Sequence, residues 1–400
     1  MMKYNKTSLM IVSFMTYMIM AGLLTQTGII IGPMSKYLNI SITSSASIFS
    51  YLTGGTLIGT FISMIAYSKY DLKKILRLNY VVFIVVLVAM ISLNFKNIVA
   101  ISLYLIVIGA CCGIGLSGGA VLISKIFDED KRASAFIATD CAFSASGFIF
   151  PTIATFIIYK NIEWTMSYAP IGLIALFVFF STFIFKYPQK NKVKKTSENL
   201  QEQKRPFNIK NIMTPRVLLI GLSLCLYLFA QNTFLTWSPN YLQEIFGLTP
   251  VDAGSVVGKY WGTSVFGLIA AAILVNKFSA RYMLITIILI AIFLVIFLSI
   301  TNSAEHFLTI TIFFGFFTSC IYKLSISVGS QQIKGSPAIL ITFLLTCGTV
   351  GSTIAPALSA VIIENFGISS AMLVTTISFI AVFILVLTCL IIENKQTIKN

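Results

Sequence analysis

The sequence predicts an all-α membrane protein with twelve transmembrane helices arranged as two six-helix repeats. Three observations lead there. Of the 400 residues, 57% are hydrophobic and 10% charged, with a mean hydropathy of +0.92, whereas a soluble domain is about half apolar and about a quarter charged. The apolar residues gather into twelve runs, each near the length of about 20 residues that crosses a hydrocarbon core. The basic residues collect at alternate ends of those runs, and the two halves of the chain echo one another. Disordered, collagen-like and disulfide-stapled chains are excluded by the same composition.

The predicted spans are 8–32, 46–67, 75–94, 98–123, 134–158, 165–186, 215–236, 253–275, 281–300, 305–328, 337–362 and 369–392. The first follows Lys3 and Lys6 as a signal peptide would. It runs well beyond the roughly 7–15 residues of a signal core and lacks an A-x-A-like cleavage site, so it is expected to stay as a helix. Residues 187–214 are polar, Lys-rich and without apolar periodicity; they read as a linker between an N-terminal half, 1–186, and a C-terminal half, 215–400.

The even-numbered connections and both termini hold 23 of the 28 Lys and Arg residues. They include Lys69, Lys73, Lys74 and Arg77 after span 2, Lys125, Lys131 and Arg132 after span 4, the central run from Lys186 to Arg216, Lys277 and Arg281 after span 8, and Lys334 after span 10. The odd connections hold Lys36, Lys96 and Lys160. The positive-inside preference then puts both termini and the linker in the cytoplasm. The net charge of +15 reads as topology, with contact to anionic lipid headgroups as a second effect. Nucleic-acid binding is not expected of charge placed at helix ends. Trp164 and Trp237 fall at predicted outer boundaries, where such rings settle at headgroup level.

All seven cysteines lie inside apolar runs and read as small core residues. No C-x-x-C occurs and His306, the single histidine, has no ligand-type partner nearby, so neither a metal nor a cofactor is expected. The sequence holds no Walker-type nucleotide loop, which argues against ATP-driven transport, and its single histidine sits beside Glu305 in a short external loop, which argues against an enzyme.

The repeat is visible in detail. Ser68-Lys69-Tyr70 before Lys73 corresponds to Asn276-Lys277-Phe278 before Arg281. Ser146-Gly147 ahead of Pro151 corresponds to Gly351-Ser352 ahead of Pro356, at an offset of 205. A duplicated six-helix unit joined by a charged loop resembles the major facilitator superfamily. Its motif between spans 2 and 3 survives here only as a basic skeleton, Lys69 and Lys73 with Lys277 and Arg281 in the second half. Ser68 and Asn276 stand where that motif has an aspartate, and Asp71 stands where it has its second glycine. TDCAFSASGFIFP at 139–151, NIEW at 161–164, GSQQ at 329–332 and FLLTCGTVGS at 343–352 resemble the TsgA proteins of enteric bacteria, a group within that superfamily. The resemblance implies the major facilitator fold, the bacterial inner membrane and a transporter. It does not carry over a sugar site, because the span 1 acid of fucose-type symporters is absent from Thr25-Gln26-Thr27-Gly28.

Ionisable groups inside a bilayer are costly and mark functional paths. Asp140, Lys259 and Lys323 qualify. Asp140 lies about 10 Å into span 5 at 1.5 Å per residue, too deep for a carboxylate to reach water by itself. Burial raises a carboxylate pKa and a nearby cation lowers it, so Asp140 is the candidate proton-coupling residue. Its structural alternative is a fixed pair with Lys125 or hydrogen bonds to Thr139 or Ser144. Lys259 and Lys323 lie near enough to helix ends to snorkel, or else face the cavity and bind solute. Gln26 in span 1 and Gln231-Asn232 in span 7 sit at matching depths and suit either solute binding or interhelical hydrogen bonds. Trp261 is a candidate for stacking on a ring-shaped solute.

Gly109, Gly113, Gly115 and Gly119 in span 4, with Gly254, Gly258 and Gly262 in span 8, predict close helix contacts. Pro151 and Pro356 are expected to bend spans 5 and 11. Together these residues predict a monomeric, proton-coupled secondary transporter for an unidentified small solute. The alternative is a non-transporting membrane sensor or assembly protein on the same fold, motivated by the eroded loop motif and the missing span 1 acid.

Overall fold

The computed structural model describes residues 5–93, 95–127, 129–188, 213–275, 277–333 and 338–397. Nearly all of the expected linker 187–214 lies outside the described residues, as do Lys3, Asn276, Lys334 and Lys399; the side chains of Ser68, Lys131 and Arg132 do too. Twelve helices are long and apolar enough to cross a membrane. Span 1 comprises Lys6–Thr25 and Thr27–Leu38; spans 2 to 5 are Ile42–Lys69, Leu72–Ser92, Ile98–Ile126 and Glu129–Tyr159. A 3-10 turn, Trp164–Tyr168, leads into span 6, Ala169–Ile184. Spans 7 to 9 are Pro215–Phe246, Pro250–Leu274 and Ala280–Ile300; span 10 comprises Ala304–Thr318 and Ile321–Ser330, and spans 11 and 12 are Ala338–Phe366 and Ser370–Thr397.

Polar residues set the helix ends. Asn5, Ser41, Asn97, Thr214, Thr249 and Ser303 each accept a hydrogen bond from a first-turn backbone N–H, satisfying a donor that the helix cannot. Spans 1 and 7 end on Asn39 and Gly247, and spans 5 and 11 on Asn161 and Gly367, all with positive φ. These are repeat-equivalent spans, so the left-handed stop persists where the residue type has diverged. After span 6, Tyr187 folds back so that its hydroxyl lies 2.8 Å from that of Ser181. Burial pushes its pKa up to about 12 against the opposing effect of that hydrogen bond.

Three expectations are corrected. Span 1 is interrupted at Gln26 and extends to Leu38. The side chains of Thr25, Gln26 and Thr27 donate to the carbonyls of Ala21, Gly22 and Leu24, each at 2.8 Å, and such back-bonding bends helices. Pro33 adds to this by offering no N–H to the carbonyl one turn earlier. Span 10 is likewise interrupted, between Thr318 and Ile321. Span 7 continues to Phe246, which moves Trp237 from the expected headgroup boundary into the interior. It is 1% exposed, and its indole N–H donates to Ser359 at 2.8 Å. Trp164 is also buried, edge-on to Tyr37 and Tyr168.

The principal packed pairs of the first six spans have counterparts six spans later. Span 2 packs on 4 as 8 packs on 10, span 1 on 5 as 7 on 11, and span 3 on 6 as 9 on 12. The correspondence reaches single atoms. Gly59 meets the carbonyl of Ala110 and Gly109 that of Leu52; Gly267 meets the carbonyl of Phe316 and Gly315 that of Tyr260. One offset, 208, carries spans 2 onto 8 in this set, and another, 206, carries 4 onto 10. A Cβ at any of these glycines would strike backbone oxygen, so small residues bring the helices together as in other membrane bundles.

The two halves meet through spans 5 and 8, 2 and 11, and the second segment of span 1 against span 7. Several of the contacts lie toward the face opposite the termini. Gly28 lies against the carbonyls of Leu235 and Thr236, Asn240 donates to the Gly28 carbonyl at 3.3 Å, and Gly254 lies against Thr155 and Ile29. Ser50 accepts from the Ala357 N–H at 3.0 Å. These contacts bring the halves together on that face.

Gly59→Ala is expected to lower stability by about 1–3 kcal/mol, the usual cost of overpacking. Gly54→Ala, whose Cβ would sit 3.6 Å from Thr353 in ordinary contact, should change it little. Thermal unfolding of the two purified variants in detergent makes the comparison; equal midpoints would contradict the packing described.

Candidate functional site

Asp140 lies in the first half of span 5, Glu129–Tyr159. Its carboxylate lies 3.0 Å from the ammonium of Lys323 on span 10. This ion pair joins the two halves of the protein. The interruption of span 10 starts a new helix at Ile321, which puts Lys323 in a first turn. Its stem reaches Asp140, although 49% of the Lys323 side chain is exposed against 19% for Asp140. The ammonium also lies 5.8 Å from the ring of Tyr322. On the other side of Asp140, Tyr17 of span 1 hydrogen-bonds Thr139.

A chain of hydroxyls adjoins the interruption of span 10. Gln231 donates to the Tyr260 hydroxyl at 2.8 Å, which lies 2.7 Å from the hydroxyl of Thr318. Tyr227 donates to the Thr318 carbonyl at 2.8 Å. That carbonyl ends the first segment of span 10, where a buried acceptor without a partner is costly. Asn232 donates to the Leu228 carbonyl at 2.7 Å and to Ser352 of span 11 at 3.2 Å.

Trp261 links this network to the first half. Its ring packs on Gly147 of span 5, where a Cβ would collide with it. It also meets Phe143 edge-on at 5.5 Å and Tyr260 at 5.4 Å. Its indole N–H is buried without a hydrogen-bond partner among the described residues. The structure thus brings Asp140, Lys323, Trp261, Gln231 and Asn232 to the region between the halves. Gln26 is fully buried at the interruption of span 1, its amide nitrogen held by Gly22 and its oxygen unpartnered among the described residues. Lys259 is half-buried and, among the described residues, has no ion pair; it shares a strip of span 8 with the exposed Asp252 and Phe266.

The loop-motif residues do not form one cluster. Lys69 and Lys277 are exposed and Lys73 is half-buried. Arg281 pairs with Glu393 of span 12 at 2.6 Å, and Gln332 donates to the same carboxylate at 3.4 Å. In the first half, Arg77 ties span 3 to span 6 instead, donating to the Thr182 hydroxyl and carbonyl at 3.2 and 3.0 Å, with its guanidinium 3.9 Å over Phe183. Sequence reasoning overlooked Tyr17, Phe143, Tyr227, Tyr260 and Glu393. The tyrosines gave one usable signal, a hydroxyl within an apolar run that must find a partner.

This architecture, two repeats of six spans with polar and charged groups where they meet, is that of a solute transporter. The profile described as Major Facilitator Superfamily matches residues 9–336. Protein TsgA of Salmonella typhi is 30% identical over 382 residues, 95% of this chain and 94% of its own; Protein TsgA of Salmonella paratyphi B gives the same figures. The crystal structure of a D-xylose-proton symporter superposes with a TM-score of 0.77 at 14% identity, covering 95% of this chain and 97% of that one. A variant of the nucleoside transporter NupG gives 0.73 at 11% identity, covering 96% and 99%. The chain belongs to the Major Facilitator Superfamily and, within it, to the TsgA family. It is a multi-pass membrane transporter for a small solute, not an enzyme.

Tyr227→Phe removes the donor to the Thr318 carbonyl and should lower stability by about 1–3 kcal/mol, the cost of stranding a buried acceptor. Thermal unfolding beside Tyr104→Phe, a change outside this network, checks it; equal effects would place the interruption of span 10 under other control.

Proposed function

We propose that the protein is a proton-coupled secondary transporter of the bacterial inner membrane, with both termini and the linker 187–214 in the cytoplasm. The halves 1–186 and 215–400 are its moving bodies, alternating access to a solute site between them. The observation that carries this reading is the 3.0 Å ion pair of Asp140 with Lys323, because it joins the two bodies through a group that can take up a proton. With Asp140 ionised, attraction holds spans 5 and 10 together. A proton on Asp140 cancels that attraction and releases Lys323 toward solute or water. Among the described residues, the titratable groups around Asp140 are Lys323 and Tyr322 from span 10, Tyr17 from span 1, and Cys141 beside it.

The solute site takes its cation from Lys323, its flat apolar wall from Trp261 and Phe143, and its neutral donors from Gln231, Asn232 and the Trp261 indole. Gln26 and Lys259 are secondary members, brought in only if the halves rearrange. Lys69, Lys73, Lys277 and Arg281 act at the cytoplasmic ends, where anionic headgroups and span 12 hold them. In the described conformation the halves meet on the far face at Gly28, so solute exchanges on the side of the termini.

The test is labelling of Asn232→Cys, in a variant without the seven native cysteines, from each side of reconstituted vesicles at two pH values. The side of access should change with pH, and Asp140→Asn should remove the pH dependence while the protein still elutes as a folded species. A cysteine that stays unreactive from both sides at both pH values would sink alternating access; pH-dependent access that survives Asp140→Asn would sink the role of Asp140.

A further inference from the structure

A cavity of about 360 Å³ lies between spans 8 and 9, with span 10 as its floor. Its wall is almost wholly apolar and includes Gly267, Ala271, Leu274, Tyr282, Ile287 and Cys320. The repeat explains why it exists. In the first half the Tyr67 hydroxyl donates to the Ile114 carbonyl at 2.9 Å, and Asn79 donates to the Cys111 carbonyl at 3.0 Å. Tyr67 and Tyr80 also cover Gly118 and Gly115, so the cleft between spans 2 and 3 is filled. The offsets that superpose the glycine contacts carry Tyr67 onto Val275 and Ile114 onto Cys320, and the offset of the loop motif leading into spans 3 and 9, also 208, carries Asn79 onto Ile287. The bulk and both polar ties are gone from the second half.

The mouth of the cleft is rimmed by exposed apolar side chains, among them Leu274, Phe278 and Tyr282, so it opens onto lipid. An apolar cavity of this kind does not hold water. Lys277 stands in the turn between the lining residues Leu274 and Phe278 and is exposed. The nearby guanidinium of Arg281 is committed to Glu393. Among the described residues the free charge at the mouth is therefore positive, and it stands at the helix ends beside aromatic rings of the kind that favour headgroup level.

We propose that this cleft binds one acyl chain of an anionic phospholipid, with the headgroup on Lys277. The site is separate from the solute site, and its occupant wedges spans 8 and 9 where the first half uses Tyr67 and Asn79.

The test uses the full-length protein, delipidated in detergent and titrated with phosphatidylglycerol or phosphatidylethanolamine of the same acyl chains while the thermal midpoint is followed. Phosphatidylglycerol should raise the midpoint saturably, with an apparent affinity about fivefold better than phosphatidylethanolamine, the factor that one basic residue near an anionic surface contributes. Val275→Tyr, which restores the first-half pattern, should abolish the rise. Ala271→Leu fills the cleft more mildly and should weaken it, which keeps the test decisive should the tyrosine variant not fold. Lys277→Gln should keep the rise and equalise the two lipids. No saturable response in the unmodified protein, or an undiminished one in the filled variants, overturns the site; equal affinities for the two lipids in the unmodified protein overturn its anionic preference.

Discussion

Hydrocarbon offers a backbone no hydrogen-bond partner, so a membrane helix can be interrupted only where the protein supplies one. Both interruptions among the described residues follow that rule, and the arrangement between the halves depends on both. In span 1 the side chains of Thr25, Gln26 and Thr27 bond back to the preceding turn, and the next residue, Gly28, comes to rest on the backbone of span 7. In span 10 the Thr318 carbonyl is taken by Tyr227, and the helix that restarts beyond it carries Lys323 to Asp140. One interruption brings the halves together on the far face; the other makes the ionic link between them.

The halves share a frame and differ in what they do with it. Glycine-to-carbonyl contacts recur at fixed offsets, and left-handed stops recur at equivalent helix ends. Against that background the departures stand out. Asp140 corresponds to Leu345, and Tyr67 to Val275. A duplicated bundle is therefore a scaffold on which each loss of symmetry can be examined for a separate purpose.

The twelve spans and their repeat were legible because apolar length and small-residue spacing are local properties of the chain. The span boundaries most in error, at the end of span 7 and at the two interruptions, have a common cause. Trp237 reads as an interface anchor until its partner Ser359, 122 positions away, is known. Span 10 has no proline to announce its break; Thr318 and Ser319 bond back to the carbonyls of Phe314 and Phe316 as the residues at the span 1 break do, but the residue that takes the Thr318 carbonyl belongs to span 7. Asp140 and Lys323 were each visible as charges within apolar spans, but a sequence does not say that they meet. Tyr260, fully buried in the network beside them, looked like any other aromatic core residue.

Span 7 has a further consequence. Its 32 residues, Pro215–Phe246, make a rod about 48 Å long at 1.5 Å per residue, against a hydrocarbon layer of about 30 Å. Leu235, which receives Gly28, lies about 30 Å along it by the same rise, a full hydrocarbon thickness from the start of the helix, and Trp237 to Leu242 stay buried in protein past that point. Helices meeting within lipid gain no hydrophobic drive from doing so, but surfaces closing at a water boundary do. The contact on the far face thus draws on water as the rest of the bundle does not, and by the same physics it should weaken on cooling.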